Sequence, residues 1–392
     1  MVVGPRAALA AGSPPGCHAA AVTSTARALD LLAAAPLVDG HNDLPWALRT
    51  LGRPVDLAAG VPELHTDLPR LRAGRVGAQF WSVYVPCSFT GPAAVATVLE
   101  QVALVRELAE RYPGDLRLAT TVAEVEAALA AGRVASLMGA EGGHGIDGSL
   151  DALRELRRRG VRYLTLTHNA NVGWADSATD EPQAGGLTGF GRDVVREMQR
   201  IGMLVDLSHV SVSTMNDALD LAQAPVIFSH SSARALTDSL RNVPDEVLER
   251  LRANGGVCMV TFVPAFVSQE CADWFAGLKE FTASKGLDVR SFTDIRSVEP
   301  EWTAAHPAPR ATLSQVADHI EHVRSVAGIE HVGIGGDFDG TTEVTEGLED
   351  VSTYPALFAE LLCRGWSESD CRALAGGNIL RVLRAAESYA AH

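Results

Sequence analysis

Six apolar runs of the 392-residue chain end on an imidazole or a carboxylate: His41-Asn42-Asp43, Glu141, His168, His209, His230 and Asp337. Imidazole nitrogen and carboxylate oxygen are the ligands that hold zinc and similar divalent ions in hydrolases. In His41-x-Asp43 both side chains fall on one face of an extended strand, because the side-chain period of a strand is two, so both can reach one ion. Glu141 follows an apolar stretch, where a charge is costly to bury unless it is paired or bound to metal. The glycines after it, Gly142 and Gly143, would equally make a turn. His209 and His230 each close an apolar run as Ser-His and stand 21 residues apart, a separation that suits successive strand-and-helix units. His168, beside Asn169 and Asn171, reads either as a functional imidazole or as a hydrogen-bonded structural one. Arg241 is either a solvated charge or a guanidinium aimed at a substrate carboxylate. The run 335–340, GGDFDG, suits a tight turn as well as a site, since Asp and Gly favour turns. Taken singly, each residue has an ordinary structural reading; their joint placement carries the weight. His65, His319, His322 and His331 lack that placement and read as surface or structural residues.

The elements that must position these groups follow from periodicity. Apolar runs at 36–41, 78–85, 134–141, 161–168, 203–209, 225–230, 256–263 and 331–337 are strand candidates. Stretches of helical period separate them, including 93–112, 150–160, 191–202, 244–255 and 313–328, and several end in a glycine that tolerates the left-handed conformation of a helix terminus. Eight strand-then-helix units with continuously apolar strands predict a parallel sheet covered by helices and closed into a (β/α)8 TIM barrel with loop insertions. In that fold the C-terminal strand ends converge on one mouth, which would bring residues distant in sequence together. The strand intervals are uneven, and about 70 residues separate the last two candidates, so the polar, Pro-containing stretch 284–310 is expected to be an insertion over one end of the barrel. Residues 1–22, rich in Ala, Gly and Pro without apolar period, predict a flexible tail, leaving 23–392 as one hydrolase domain.

Composition narrows the function. With 33 Lys+Arg against 48 Asp+Glu and a formal charge of -15, the chain has no basic excess to match nucleic acid or anionic lipid. Neither partner is expected. At 47% hydrophobic residues it can bury a large core, which excludes disorder over most of its length. Cys17, Cys87, Cys258, Cys271, Cys363 and Cys371 form no CxxC pair and read as reduced thiols. No signal-peptide pattern, long apolar span or hydrophobic C-terminal tail stands out, so a cytoplasmic location is expected.

Eight segments together resemble a known family: LVDGHNDLPW (37–46), AQFWSVYVPC (78–87), GAEGGHGI (139–146), RYLTLTHNANVGWADS (162–177), LVDLSHVS (204–211), PVIFSHSSAR (225–234), LRNVPDEVL (240–248) and HVGIGGDFDG (331–340) are similar to those of the membrane (renal) dipeptidases, which are amidohydrolase-type barrels. The resemblance implies a zinc-dependent dipeptidase in which a hydroxide bridging two Zn2+ ions attacks the peptide bond. His41 and Asp43 would hold one zinc, His209 and His230 the other, and Glu141 would bridge both. It further implies that His168 contacts the scissile carbonyl, that Arg241 binds the free C-terminal carboxylate, and that Asp337 shuttles the proton. It extends to L-D dipeptides as substrates and to a homodimer. In such relatives Cys87 stands where one half of a disulfide is found, but the partner position, two residues after His168, is Ala170. Two alternatives share the same residues: a lactamase, lactonase or phosphoesterase activity at the binuclear site, and a catalytically silent metal-binding barrel. A silent barrel would need neither Asp337 nor Arg241.

Overall fold

The computed structural model describes residues 16–390, with side chains from Ser24 onward. Nine parallel strands form one sheet: β1 (Leu37–Asn42), β2 (Val76–Tyr84), β3 (Leu116–Leu118), β4 (Val134–Glu141), β5 (Val161–Thr165), β6 (Leu204–Asp206), β7 (Ile227–Phe228), β8 (Val257–Val260) and β9 (Val332–Ile334). Eight of them close the barrel, through β1 against β9 on one side and β2 against β4 on the other. The fold is the expected (β/α)8 barrel.

The ninth strand, β3, is not legible as an apolar run. Its three residues pair with Val134, Ala135 and Ser136, the first half of β4, while β5 pairs with Met138 to Glu141 along the second half. Several strands are also shorter than their apolar runs. β5 stops at Thr165, β6 at Asp206, β7 at Phe228 and β9 at Ile334, so His168, His209, His230 and Asp337 stand on the loops just beyond the strand ends. His209 and Asp337 adopt left-handed backbone, with φ of 68° and 63°, a conformation that cannot continue a ladder.

Inside the barrel, Val38, Ala78, Phe80, Ala135, Leu137, Tyr163, Leu204, Ile227, Val257 and Met259 form one apolar cluster, joined by Ile379, Val382, Leu383 and Ala386 of the helix Asn378–Ala390. Filling the interior makes the barrel a packed core, leaving the loops at its C-terminal end to build a site. Packing there is close: a Cβ on Gly335 would stand 1.9 Å from the Ser229 carbonyl oxygen, so only glycine lets β9 leave the barrel beside the loop that carries His230.

The expected tail, residues 1–22, falls mostly outside the described residues; where description begins, a helix runs Gly16–Ala34. The alanine-rich run in it has the best intrinsic helix propensity. The expected insertion contains a helix, Phe292–Ala305, that pairs with the preceding helix Gln269–Ser284. Phe281 and Trp302 pack with ring centroids 5.6 Å apart, the Trp274 indole N–H donates to the His306 carbonyl at 2.7 Å, and Lys285 meets Glu301 at 2.9 Å.

Candidate metal centre

At the C-terminal mouth Glu141 lies at the centre of a buried cage. Its Oε1 stands 3.0 Å from His209 Nε2, 3.4 Å from His230 Nε2 and 4.0 Å from His168 Nε2. Its Oε2 faces the other way, 3.5 Å from His41 Nε2, and accepts the Ser82 hydroxyl at 3.1 Å. Asp43 Oδ2 lies 3.3 Å from the same His41 nitrogen. Proximity defines three overlapping triads: His41, Glu141 and His230; Glu141, His168 and His209; His41, Asp43 and Asp337. The barrel thus gathers seven of the eight singled-out residues into one connected cluster. The eighth, Arg241, adjoins it.

Elements behind the cage fix the direction of the imidazoles. The Tyr163 hydroxyl, inside the barrel, donates to the Gly40 carbonyl at 3.2 Å and lies 2.9 Å from His41 Nδ1. With its proton so used, the phenol accepts from Nδ1–H, which directs His41 Nε2 into the cage. On the opposite wall Ser229 Oγ donates to Asp206 Oδ2 at 2.6 Å and lies 2.8 Å from His230 Nδ1, so His230 presents Nε2 in the same way. Asp206 also accepts the Thr165 hydroxyl at 2.5 Å and the backbone N–H of Ser229 and Ser208. Beneath His41, Asp39 accepts the His41 backbone N–H at 2.8 Å and the Tyr354 hydroxyl. Burial pushes the Asp39 carboxyl up to about 7 against these bonds. Sequence reasoning passed over Tyr163, Asp206, Ser229 and Asp39. A usable signal existed for the two aspartates, since a carboxylate inside an apolar strand must find partners there.

The electrostatics favour added positive charge. Burial alone would raise the Glu141 carboxyl, but the surrounding His41, His209 and His230 imidazoles carry it well below the usual carboxylate range. Burial disfavours a charged His41, yet Tyr163, Glu141 and Asp43 outweigh it and hold the imidazole well above its ordinary value. Burial, with Arg241 adding to it, keeps His209 well below its ordinary value; burial, with His41 adding, does the same for His230. Asp337 is pushed well above the carboxylate range by burial, with Asp43 and Glu141 adding to it. His41 Nε2 and Asp43 Oδ1 are buried without a hydrogen-bond partner, both inside the cage. Buried polar atoms are nearly always paired, and two orphaned donor atoms of metal-ligand type in one cage fit a divalent ion. The donor set of imidazoles and carboxylates suits zinc or a similar ion.

Around the rim, His168 is lowered to about 4 by burial, so it is neutral in ordinary buffers, and its Nδ1 lies 3.4 Å from the Cys87 thiol. Among the described residues Cys87, Cys258, Cys271, Cys363 and Cys371 are free. Arg241 is only 4% exposed and makes no ion pair among the described residues; its Nη1 and Nη2 reach the Ser231 hydroxyl and the His230 carbonyl at 3.5 and 3.4 Å, and the guanidinium stacks over Phe266 at 5.1 Å. Burial lowers it to about 10, against Asp337 and Glu141, so it stays a cation. A buried cation with such long contacts is arranged to receive an anion. Asp337 and Asp43 are packed around Gly340, where a Cβ would stand 2.3 Å from Asp337 Oδ1 and 2.4 Å from Asp43 Oδ2.

A closed parallel barrel with a buried imidazole and carboxylate centre at its C-terminal mouth is a framework suited to a metal-dependent hydrolase. Residues 25–392 match the family described as membrane dipeptidase, peptidase family M19, and the chain belongs to that family. It is 42% identical over 370 residues to dipeptidase 3 of Mus musculus, covering 92% of this chain and 66% of the mouse protein. It is 43% identical over 375 residues to dipeptidase verJ of Clonostachys rogersoniana, covering 92% of this chain and 87% of that protein. Among solved structures it resembles a metallo peptidase from Rhodobacter sphaeroides liganded with a phosphinate mimic of the dipeptide L-Ala-D-Ala, with a TM-score of 0.74, 26% identity, and coverage of 90% of this chain and 99% of that one. These relatives make the chain a peptide-bond hydrolase of the metallopeptidase type. They also correct the cytoplasmic expectation: a family of membrane dipeptidases that includes mouse dipeptidase 3 points to an extracellular or membrane-anchored location. That expectation rested on missing sequence signals, and such absences do not fix a compartment. Among the described residues no helix is long and apolar enough to cross a membrane.

The bond behind His41 yields a test. Tyr163→Phe removes the hydroxyl that orients Nδ1 without changing the ring, and should weaken metal binding by about 10- to 100-fold while leaving the thermal unfolding transition nearly in place. Competition with a fluorescent zinc chelator measures this, and unchanged affinity would show that His41 needs no such support.

Proposed function

We propose that this protein is a zinc-dependent dipeptidase that cleaves dipeptides with a free C-terminal carboxylate, L-D dipeptides among them. One observation carries the reading: the Glu141 carboxylate is divided, with one oxygen toward His41 and the other toward His209 and His230. That division supports two ions, one held by His41 and Asp43 and the other by His209 and His230, with Glu141 shared between them. Bound there, the ions would supply Lewis acidity and a nucleophile at neutral pH. The phosphinate dipeptide mimic held by the Rhodobacter sphaeroides relative supports an L-D substrate.

The remaining roles belong to side chains of the chain itself. Arg241 binds the substrate carboxylate through its paired N–H groups, which a longer peptide would meet with a neutral amide. His168 is neutral, and its Nε2 faces the cage, so an N–H there donates to the scissile carbonyl oxygen as negative charge develops. The Cys87 thiol, placed to donate to Nδ1, favours the tautomer with the proton on Nε2. Asp337 holds and moves the proton at its carboxyl oxygens, delivering it to the amine, because an amide nitrogen departs only once protonated. The same reading includes a homodimer, on the family resemblance alone; sedimentation velocity checks it, and a monomer would remove it.

Two substitutions separate these roles. Asp337→Asn should lower kcat by about 10²- to 10⁴-fold with metal content unchanged, and near-normal turnover would remove Asp337 from the proton transfer. Arg241→Ala should raise KM for free dipeptides while sparing the slow hydrolysis of a C-terminally amidated analogue. An equal loss on both substrates would contradict the carboxylate clamp.

A further inference from the structure

The helix inserted after β8 begins at the mouth of the site. Its first residue, Phe292, lies with its ring centroid 6.2 Å from that of His168, and 40% of its surface is exposed, which makes it one of the few large apolar side chains left open among the described residues. Tyr84, from the end of β2, packs on the same imidazole at 4.9 Å. One turn further along the helix, Arg296 is near enough to act electrostatically on Tyr84. Phe292, His168 and Tyr84 therefore form one aromatic wall at the rim.

The wall is held in place from both sides. Ser291 caps the helix, its hydroxyl accepting the Asp294 N–H at 3.2 Å, and Asp294 in turn accepts the Asp288 N–H at 2.9 Å. Arg290 reaches across to Asp180 at 3.3 Å, and Asp180 accepts the Asn171 N–H at 3.0 Å on the loop that follows His168. The opposite end is fixed on the preceding helix by the packing of Trp302 against Phe281. Held at a defined position beside the mouth, the Phe292 ring offers an apolar face that a substrate side chain can cover.

We propose that Phe292 is a specificity-determining residue that packs against the side chain of the substrate's N-terminal residue and selects dipeptides in which that side chain is apolar. The inference rests on the dipeptidase reading, with the scissile carbonyl at His168 and the carboxylate at Arg241. His168 follows β5 and Arg241 follows β7. A dipeptide spanning the two directs its N-terminal residue away from Arg241, toward the wall of Tyr84, His168 and Phe292. An apolar side chain there covers the open face of Phe292, whereas glycine leaves it wet.

The test compares kcat/KM of the full-length enzyme for Gly-Ala, Ala-Ala, Leu-Ala and Phe-Ala. Phe292→Ala should lower the values for Leu-Ala and Phe-Ala about tenfold and leave Gly-Ala within about twofold, while Phe292→Leu keeps most of the preference. A uniform loss along this series, no loss at all, or a selective loss in a matched series varied at the C-terminal residue would overturn the assignment. If the unaltered enzyme cleaves Gly-Ala, such a result defeats only the role of Phe292. If it cleaves no dipeptide, the reading beneath it falls as well.

Discussion

The structure depends on keeping one carboxylate charged in a place that water does not reach. Glu141 ends an apolar strand at 4% exposure, and burial of that kind would by itself drive it to accept a proton. The imidazoles that prevent this come from the ends of three other strands, so the charge survives only while the barrel is closed. Fold and site are coupled through that requirement: the pairing of β1 with β2 and of β2 with β4 brings His41, Ser82 and Glu141 together. An isolated segment of the chain could not sustain the arrangement.

Each ring that faces Glu141 needs a defined orientation, and the supporting groups lie one layer behind. Tyr163 sits inside the barrel and Asp206 at the end of β6, both fully buried and both used to fix a proton on the far side of an imidazole. The cost of burying Asp206 is offset by hydrogen bonds from Thr165, Ser229 and Ser208. Left-handed backbone at His209 and Asp337 belongs to the same economy, since strained non-glycine residues persist where surrounding packing determines them and cluster at functional sites.

Much of this was legible in the sequence, for physical reasons. Continuously apolar strands separated by amphipathic helices leave few architectures open, and strand ends carrying His or Asp in a barrel must meet at one mouth. Hence the eight candidate residues assemble, seven in overlapping triads and Arg241 beside them. What escaped was either too short or dependent on three-dimensional partners. β3 has only three residues, one of them exposed, and no periodic signal. The strand ends at β6 and β7 were placed too late because Ser208, His209, Ser229 and His230 are as buried as the strand itself, so burial pattern continues where pairing stops. Tyr163 reads as one more aromatic strand residue until Gly40 and His41 are placed above it. The compartment was not legible, because missing signal and anchor patterns do not fix a location.

The inserted helix adds a wall beside a centre built at the strand ends. On the proposed roles, chemistry and selectivity reside on different elements, the first on residues at or just beyond the strand ends and the second on an inserted segment. The claim beneath both is that the cage binds divalent ions and that hydrolysis requires them. Metal content and dipeptide hydrolysis measured on one preparation, before and after chelation and during stepwise return of zinc, test it most directly. The account predicts a folded but inactive metal-free protein whose activity returns with increasing zinc and levels off near two equivalents. A metal-free preparation that retains full activity would contradict it.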